Sequence, residues 1–195
     1  MKTDILKITS LLMIFVFSAC SSVATPTPTA LSPTEPIVIE TEGTSSYYPL
    51  DIVTNIEEID VVLRAVASGD PQQLRDLFGY TTATCKTVQG LGGPPPCHEG
   101  EAEGTSVEVL SFLGSEGSFL RRDEAVNYPG IQAVGIYAIY ETSENVYSEE
   151  NYPAGEYGIM LLSEGSEPGI VLQVKDGKIV RIDSLFDPAS YRDIL

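Results

Sequence analysis

The stretch "GIVLQVKDGKIVRIDSLF", residues 169–186, decides the fold. Two runs rich in Val, Ile and Leu flank Asp176-Gly177. An Asp-Gly link of two residues supplies the positive φ angles of a type I′ turn, whose twist matches that of paired strands. Branched side chains favour extended backbone, so both arms read as strands of one hairpin. In the second arm strict alternation puts Ile179, Arg181, Asp183 and Leu185 on one face. Val180, Ile182, Ser184 and Phe186 fall on the other. Upstream, "IQAVGIYAIYET" (131–142) and "YGIMLLS" (157–163) share this composition and are bounded by turn residues. The C-terminal third therefore reads as an antiparallel meander. Asp187-Pro188 ends the last strand, and 188–195 can add a terminal helix.

Ahead of the meander the period changes. Ile56, Ile59, Leu63, Val66 and Ala67 recur at helical spacing, with Asn55 as candidate cap, Glu58 three residues on and Gly69 as stop. Asp70-Pro71-Gln72-Gln73 opens a second helix, with proline at the first helical position. Leu74, Leu77 and Phe78 form its apolar side, and Gly79 closes it. Tyr80–Thr87 and Val107–Leu113 read as strands. Gly114, Gly117 and Ser118 mark a turn, and Phe119–Val126 suits one or two helical turns. The fold class is α+β, an N-terminal helical pair packed on an antiparallel sheet, in a single domain over 51–195.

The first residues carry a different signal. Lys2 and Lys7 precede Ile8–Phe17, an apolar run with the charge and length of a secretory signal and too short for a comfortable membrane span. Phe17-Ser18-Ala19-Cys20 resembles the lipobox of bacterial lipoproteins, with Phe17 where leucine is usual. The resemblance implies a signal peptide over 1–19, a lipidated Cys20 and an extracytoplasmic protein anchored in the membrane of the cell envelope. Cleavage after Ser22-Val23-Ala24 and an uncleaved anchor are the alternatives. Pro26, Pro28, Pro33 and Pro36 then alternate with Thr, Ser and Ala. Such a segment buries too little apolar surface to offset its ordering entropy, so 20–50 reads as a disordered tether. The net charge of −17 repels nucleic acid. Basic stripes, glycine-rich phosphate loops and paired zinc motifs are missing from the sequence, which argues against nucleic-acid, nucleotide and zinc roles, and no cofactor is implied.

Export also explains the cysteines. With Cys20 lipidated or cut away, Cys85 and Cys97 remain in an oxidising compartment and pair as a structural disulfide across the loop that holds Gly90, Gly92, Gly93 and Pro94–Pro96. The spacing is not that of a redox CxxC motif. His98, with Glu99, Glu101 and Glu103, is a candidate divalent-ion ligand or general base. A solvated acidic loop is the plainer reading, and no metal site is assigned.

Two motifs, "IDVVLRAVASGDPQQLRDLF" (59–78) and "VKDGKIVRIDSLFDP" (174–188), resemble the nuclear-transport-factor-2-like cone fold and its SnoaL-like branch. The resemblance implies a curved sheet around a pocket capped by the opening helices, and pairing of two subunits through the sheet face. It would make Asp183 the pocket's general acid–base, with Arg181 one pleat away and Tyr137, Tyr140 and Tyr157 as wall residues. An exposed Arg181–Asp183 ion pair is the alternative. Six of the ten tyrosines lie between Tyr128 and Tyr157. With Tyr147 and Tyr152 among acidic residues, they suggest a platform for a small molecule, a glycan or an envelope protein. Three functions follow: a non-catalytic binding domain, a SnoaL-like hydrolase or isomerase, and a structural accessory domain.

Overall fold

The computed structural model describes residues 47–88, 90–163 and 168–185. The signal, Cys20, the tether up to residue 46, Phe186 and the expected terminal helix lie outside the described residues. The elements are α1 (Glu57–Ser68), α2 (Pro71–Arg75), β1 (Thr81–Thr84), β2 (Ser106–Leu113), β3 (Gly117–Arg121), β4 (Gly135–Glu141), β5 (Tyr157–Leu162), β6 (Pro168–Lys175) and β7 (Lys178–Ser184). The domain is α+β, built on a seven-stranded and mostly antiparallel sheet.

The cap position of α1 falls one residue later than expected, at Ile56, for a reason visible in the backbone. Asn55 has φ +64°, outside the helical region, and Ile56 occupies the cap position without a side-chain bond. The capping comes instead from Thr54, whose hydroxyl accepts the Ile56 N–H at 3.1 Å. Asp60 reaches back to hold Thr54, accepting its N–H at 2.8 Å and its hydroxyl at 2.7 Å. Those bonds keep the Asp60 carboxyl below its usual range. Gly69 ends the helix in the left-handed conformation, its N–H donating to the Val66 carbonyl at 3.1 Å. α2 opens as the sequence suggests, with Pro71 in its first turn and the Gln72 N–H donated to Asp70 Oδ1 at 2.9 Å. It stops at Arg75, before Gly79, because the next residues pair with the sheet. Ile179 donates its N–H to the Leu77 carbonyl, and Gly79 donates to the Ile179 carbonyl, both at 2.8 Å.

β4, β5, β6 and β7 form the expected meander in spatial order, each pair antiparallel. Asp176 and Gly177 both have positive φ, 51° and 69°, as a type I′ turn demands. β7 then pairs parallel to the C-terminal half of β2, and β1 takes the N-terminal half, so both share one edge of β2. β3 pairs antiparallel along the other edge, with Leu110 opposite Leu120 and Ser111 opposite Phe119. The helix expected at Phe119–Val126 is therefore a strand followed by a short 3-10 turn, Ala125–Asn127. Phe119 and Arg121 alternate with Leu120, a period of two that a window of eight residues hides.

Ile59 and Leu63 of α1 pack with Leu110, Ile159, Leu172, Ile179 and Ile182, all essentially inaccessible to solvent. Each such side chain contributes about 1.5–3 kcal/mol by leaving water. This core fills the space between α1 and the sheet.

A β-bulge reverses part of the face assignment made above. The register runs from Val174 opposite Ile179 to Gln173 opposite Arg181, leaving Val180 without a partner. One extra residue shifts the alternation by half a period. Ile179 and Ile182 consequently both belong to the helix-side core. Arg181, Asp183 and Leu185 turn to the opposite, outer face. Asp183 thus lies outside the helix-capped interior that the cone resemblance implies.

Candidate functional site

The outer face of the sheet holds two buried arginines, each fastening an irregular segment. Arg181 on β7 is 1% exposed. Its Nε donates to Asp183 Oδ1 at 2.6 Å and its Nη2 to Asp183 Oδ2 at 3.0 Å. Nη1 donates to the carbonyls of Tyr147 at 2.8 Å and Tyr152 at 3.1 Å. Gln173, one strand over, donates its amide to Asp183 Oδ2 at 3.0 Å and accepts the Gly155 N–H at 3.1 Å. Ser111 adds a hydroxyl bond to the Asn151 carbonyl, and Thr81 one to the Glu150 carbonyl. The segment 142–156, long and polar, is strapped to the sheet by side-chain bonds at five backbone positions and by the Glu156 N–H, which donates to the Val174 carbonyl at 2.7 Å.

Beside that network a groove of about 360 Å³ opens. Tyr140, Val146, Val171 and Leu185 give it apolar walls, while Asp183, Gln173 and Thr142 supply polar atoms. Tyr140 can take its place because β5 offers Gly158 directly opposite; a Cβ there would lie 2.3 Å from the Tyr140 ring. Burial, reinforced by the Asp183 charge, pushes the Tyr140 phenol up to about 12, so it serves as a neutral hydrogen-bonding group. The Thr142 hydroxyl is buried and has no hydrogen-bond partner among the described residues.

Arg121 on β3 does the same work for the stapled loop. It is 4% exposed, donates to both oxygens of Glu101 at 2.7 and 2.8 Å, and donates to the Pro96 carbonyl at 3.1 Å. Glu101 also accepts the His98 N–H at 2.8 Å. The Arg121 bonds, then this backbone bond, hold the Glu101 carboxyl down to about 2. Cys85 and Cys97 form the expected disulfide, with Cα atoms 4.8 Å apart. Their sulfurs lie close to Glu101, but the sulfurs are joined to each other and the carboxylate is taken by Arg121. That trio is no ligand set for a metal ion.

The sequence candidates therefore separate. Asp183 and Tyr140 share the outer-face groove, and Arg181 lies beneath it, buried and not in the exposed pair considered as an alternative. His98 lies elsewhere, its Nε2 2.9 Å from Glu124 Oε1 and its Nδ1 3.5 Å from Asp123 Oδ2. Tyr157 joins the helix-side core, and Tyr137 projects at a second bulge, on β4. Tyr152 is buried against Phe119, ring centroids 4.9 Å apart, whereas Tyr147 is 47% exposed. Tyr147 and Tyr152 still pack together, ring centroids 6.2 Å apart. Gln173 is a site residue beyond the sequence candidates, and a lone polar residue inside "GIVLQVK" is the signal for a satisfied buried amide.

A comparison with known proteins finds no matching family model, no similar curated protein and no similar solved structure. Among the described residues no helix is long and apolar enough to cross a membrane.

Proposed function

We propose that this chain is an exported, lipid-anchored domain that binds a small, largely apolar molecule in the outer-face groove and performs no chemistry on it. The observation that carries this reading is the prior engagement of Asp183. Its two oxygens already accept three hydrogen bonds, from Arg181 and Gln173, which suits a fixed polar wall better than a base awaiting a substrate proton. Apolar sides around a few placed polar groups are the usual make-up of a ligand site. His98, the other acid–base candidate, is held between two carboxylates away from this groove.

The cone resemblance draws support from the opening helices and the closing β6–β7 hairpin. The interior a cone would keep open is occupied here by Ile59, Leu63, Leu172 and Ile182, so a SnoaL-like pocket chemistry gains nothing from it. Anchoring rests on the lipobox-like residues ending at Cys20, and the disulfide fits an oxidising compartment.

Native mass spectrometry of the full-length protein, extracted from its own membrane, tests the proposal. The expected result is an acylated chain beginning at Cys20 that carries a small molecule, retained by the wild type and lost in Val146→Trp, which fills the groove. An unprocessed chain beginning at Met1, or a ligand load unaffected by Val146→Trp, would contradict it.

A further inference from the structure

A second concavity, of about 590 Å³, lies between α2, β2 and the start of β7. Three cations line it: Arg75, Arg122 and Lys178. In a chain of net charge −17 such convergence is unusual, and the partners of these cations make it informative. Elsewhere Arg64, Arg121, Lys175 and Arg181 each face a carboxylate. Arg75 instead donates Nη1 to the Tyr128 carbonyl at 3.2 Å and Nη2 to the Gln72 amide oxygen at 2.8 Å. Lys178 donates to the Asp76 carbonyl at 2.9 Å. Neutral acceptors fix the position of both groups, and among the described residues neither forms an ion pair with a carboxylate.

Arg122 completes the set. Its Nη1 meets both oxygens of Glu108 at 2.9 and 3.0 Å, and its guanidinium stands 5.2 Å from the centre of the Tyr80 ring. Nε and Nη2 stay available, as do two of the three Lys178 protons. Two acids also line the concavity, Asp76 and Glu108; Glu108 is paired with Arg122, and Asp76 accepts from the neutral Gln72 amide at 2.7 Å and keeps its charge. Three cations thus face two carboxylates, and one positive charge is left over. The repulsion of the distant acidic surface fades over a screening length of roughly 8–10 Å, so the local cations decide what enters.

We infer that this concavity is an anion site that takes the phosphate group of a small phosphorylated molecule, separate from the outer-face groove. Forked guanidinium donors and a pivoting ammonium suit tetrahedral oxyanions. A phosphate monoester gains charge as its second proton leaves near pH 6, so occupancy rises between pH 5.5 and 7.5.

Amide chemical shifts of the full chain, followed during titration with inorganic phosphate and separately with glycerol 3-phosphate, test the inference at matched chloride ionic strength. Saturable shifts are expected at Arg75, Tyr80, Arg122 and Lys178. Lys178→Gln and Arg75→Gln should each weaken binding about tenfold, as loss of one of the two cations not paired with a carboxylate implies. Tighter binding of the ester identifies an organic phosphate as ligand; equal binding identifies the phosphate group alone. Lys178 is exposed, so its variant folds even if Arg75→Gln does not. Shifts no larger than those from chloride, or affinity unchanged in Lys178→Gln, would overturn the assignment.

Discussion

Asp183→Ala destabilises the domain by about 3–5 kcal/mol, the usual cost of leaving one partner of a buried ion pair uncompensated. Arg181 sits essentially out of solvent, and Asp183 is the only carboxylate it meets among the described residues. Alanine leaves the guanidinium with two carbonyls, Tyr147 and Tyr152, and leaves the Gln173 amide without its acceptor. Coulombic loss and desolvation then act in the same direction. Urea denaturation reads the effect as a lower midpoint. Arg181→Met combined with Asp183→Ala should recover a large part of the loss, since the buried charge is then gone. A single variant as stable as the wild type would mean that the guanidinium finds water, and that the outer face is open.

Cys85→Ser together with Cys97→Ser lowers stability by about 3 kcal/mol, as expected for a disulfide closing a loop of this size in the chain-entropy model. Twelve positions separate the cysteines, and the loop between them has few contacts of its own. Its remaining anchors include the backbone bonds of Lys86 with Pro95 and Cys97, the Thr87 hydroxyl bond to Glu103, and the Arg121 bonds to Pro96 and Glu101. Because Arg121 lies on β3, loosening the loop also exposes part of the outer face. Thermal unfolding with and without reductant makes the same comparison in the wild type. Equal transitions in the two conditions would show that the hydrogen bonds hold the loop without the disulfide.

Both effects arise at contacts between segments far apart in sequence, and this explains what the sequence reveals and what it hides. The Asp176-Gly177 turn is local, and its φ angles follow from two residues. Asp70-Pro71 and Gly69 are equally local, so the start of α2 and the end of α1 are legible. The cap of α1 is not, because Asp60 acts across six residues through Thr54. β3 was hidden because its partner β2 was needed to reveal the alternation. The deepest failure concerns Val180. A bulge leaves no signature among Ile, Val and Arg, yet it moves Asp183 from the helix side of the sheet to the outer face. Of the candidate site, Asp183, Arg181 and Tyr140 were legible as residues. Their grouping with Gln173 under the strapped segment 142–156 required the fold.

The outer face is the working surface of the domain on the proposed reading. Two arginines fix two loops, and the groove beside Asp183 is what the second loop leaves uncovered. Methyl NMR of the full chain, titrated with a library of small aromatic alcohols and amines, tests this most directly. The account predicts that binders shift Val146, Val171 and Leu185 together, and that Ile59, Leu63 and Leu172 stay unmoved. Binders that shift the helix-side methyls first, and leave Val171 and Leu185 unchanged, would contradict it.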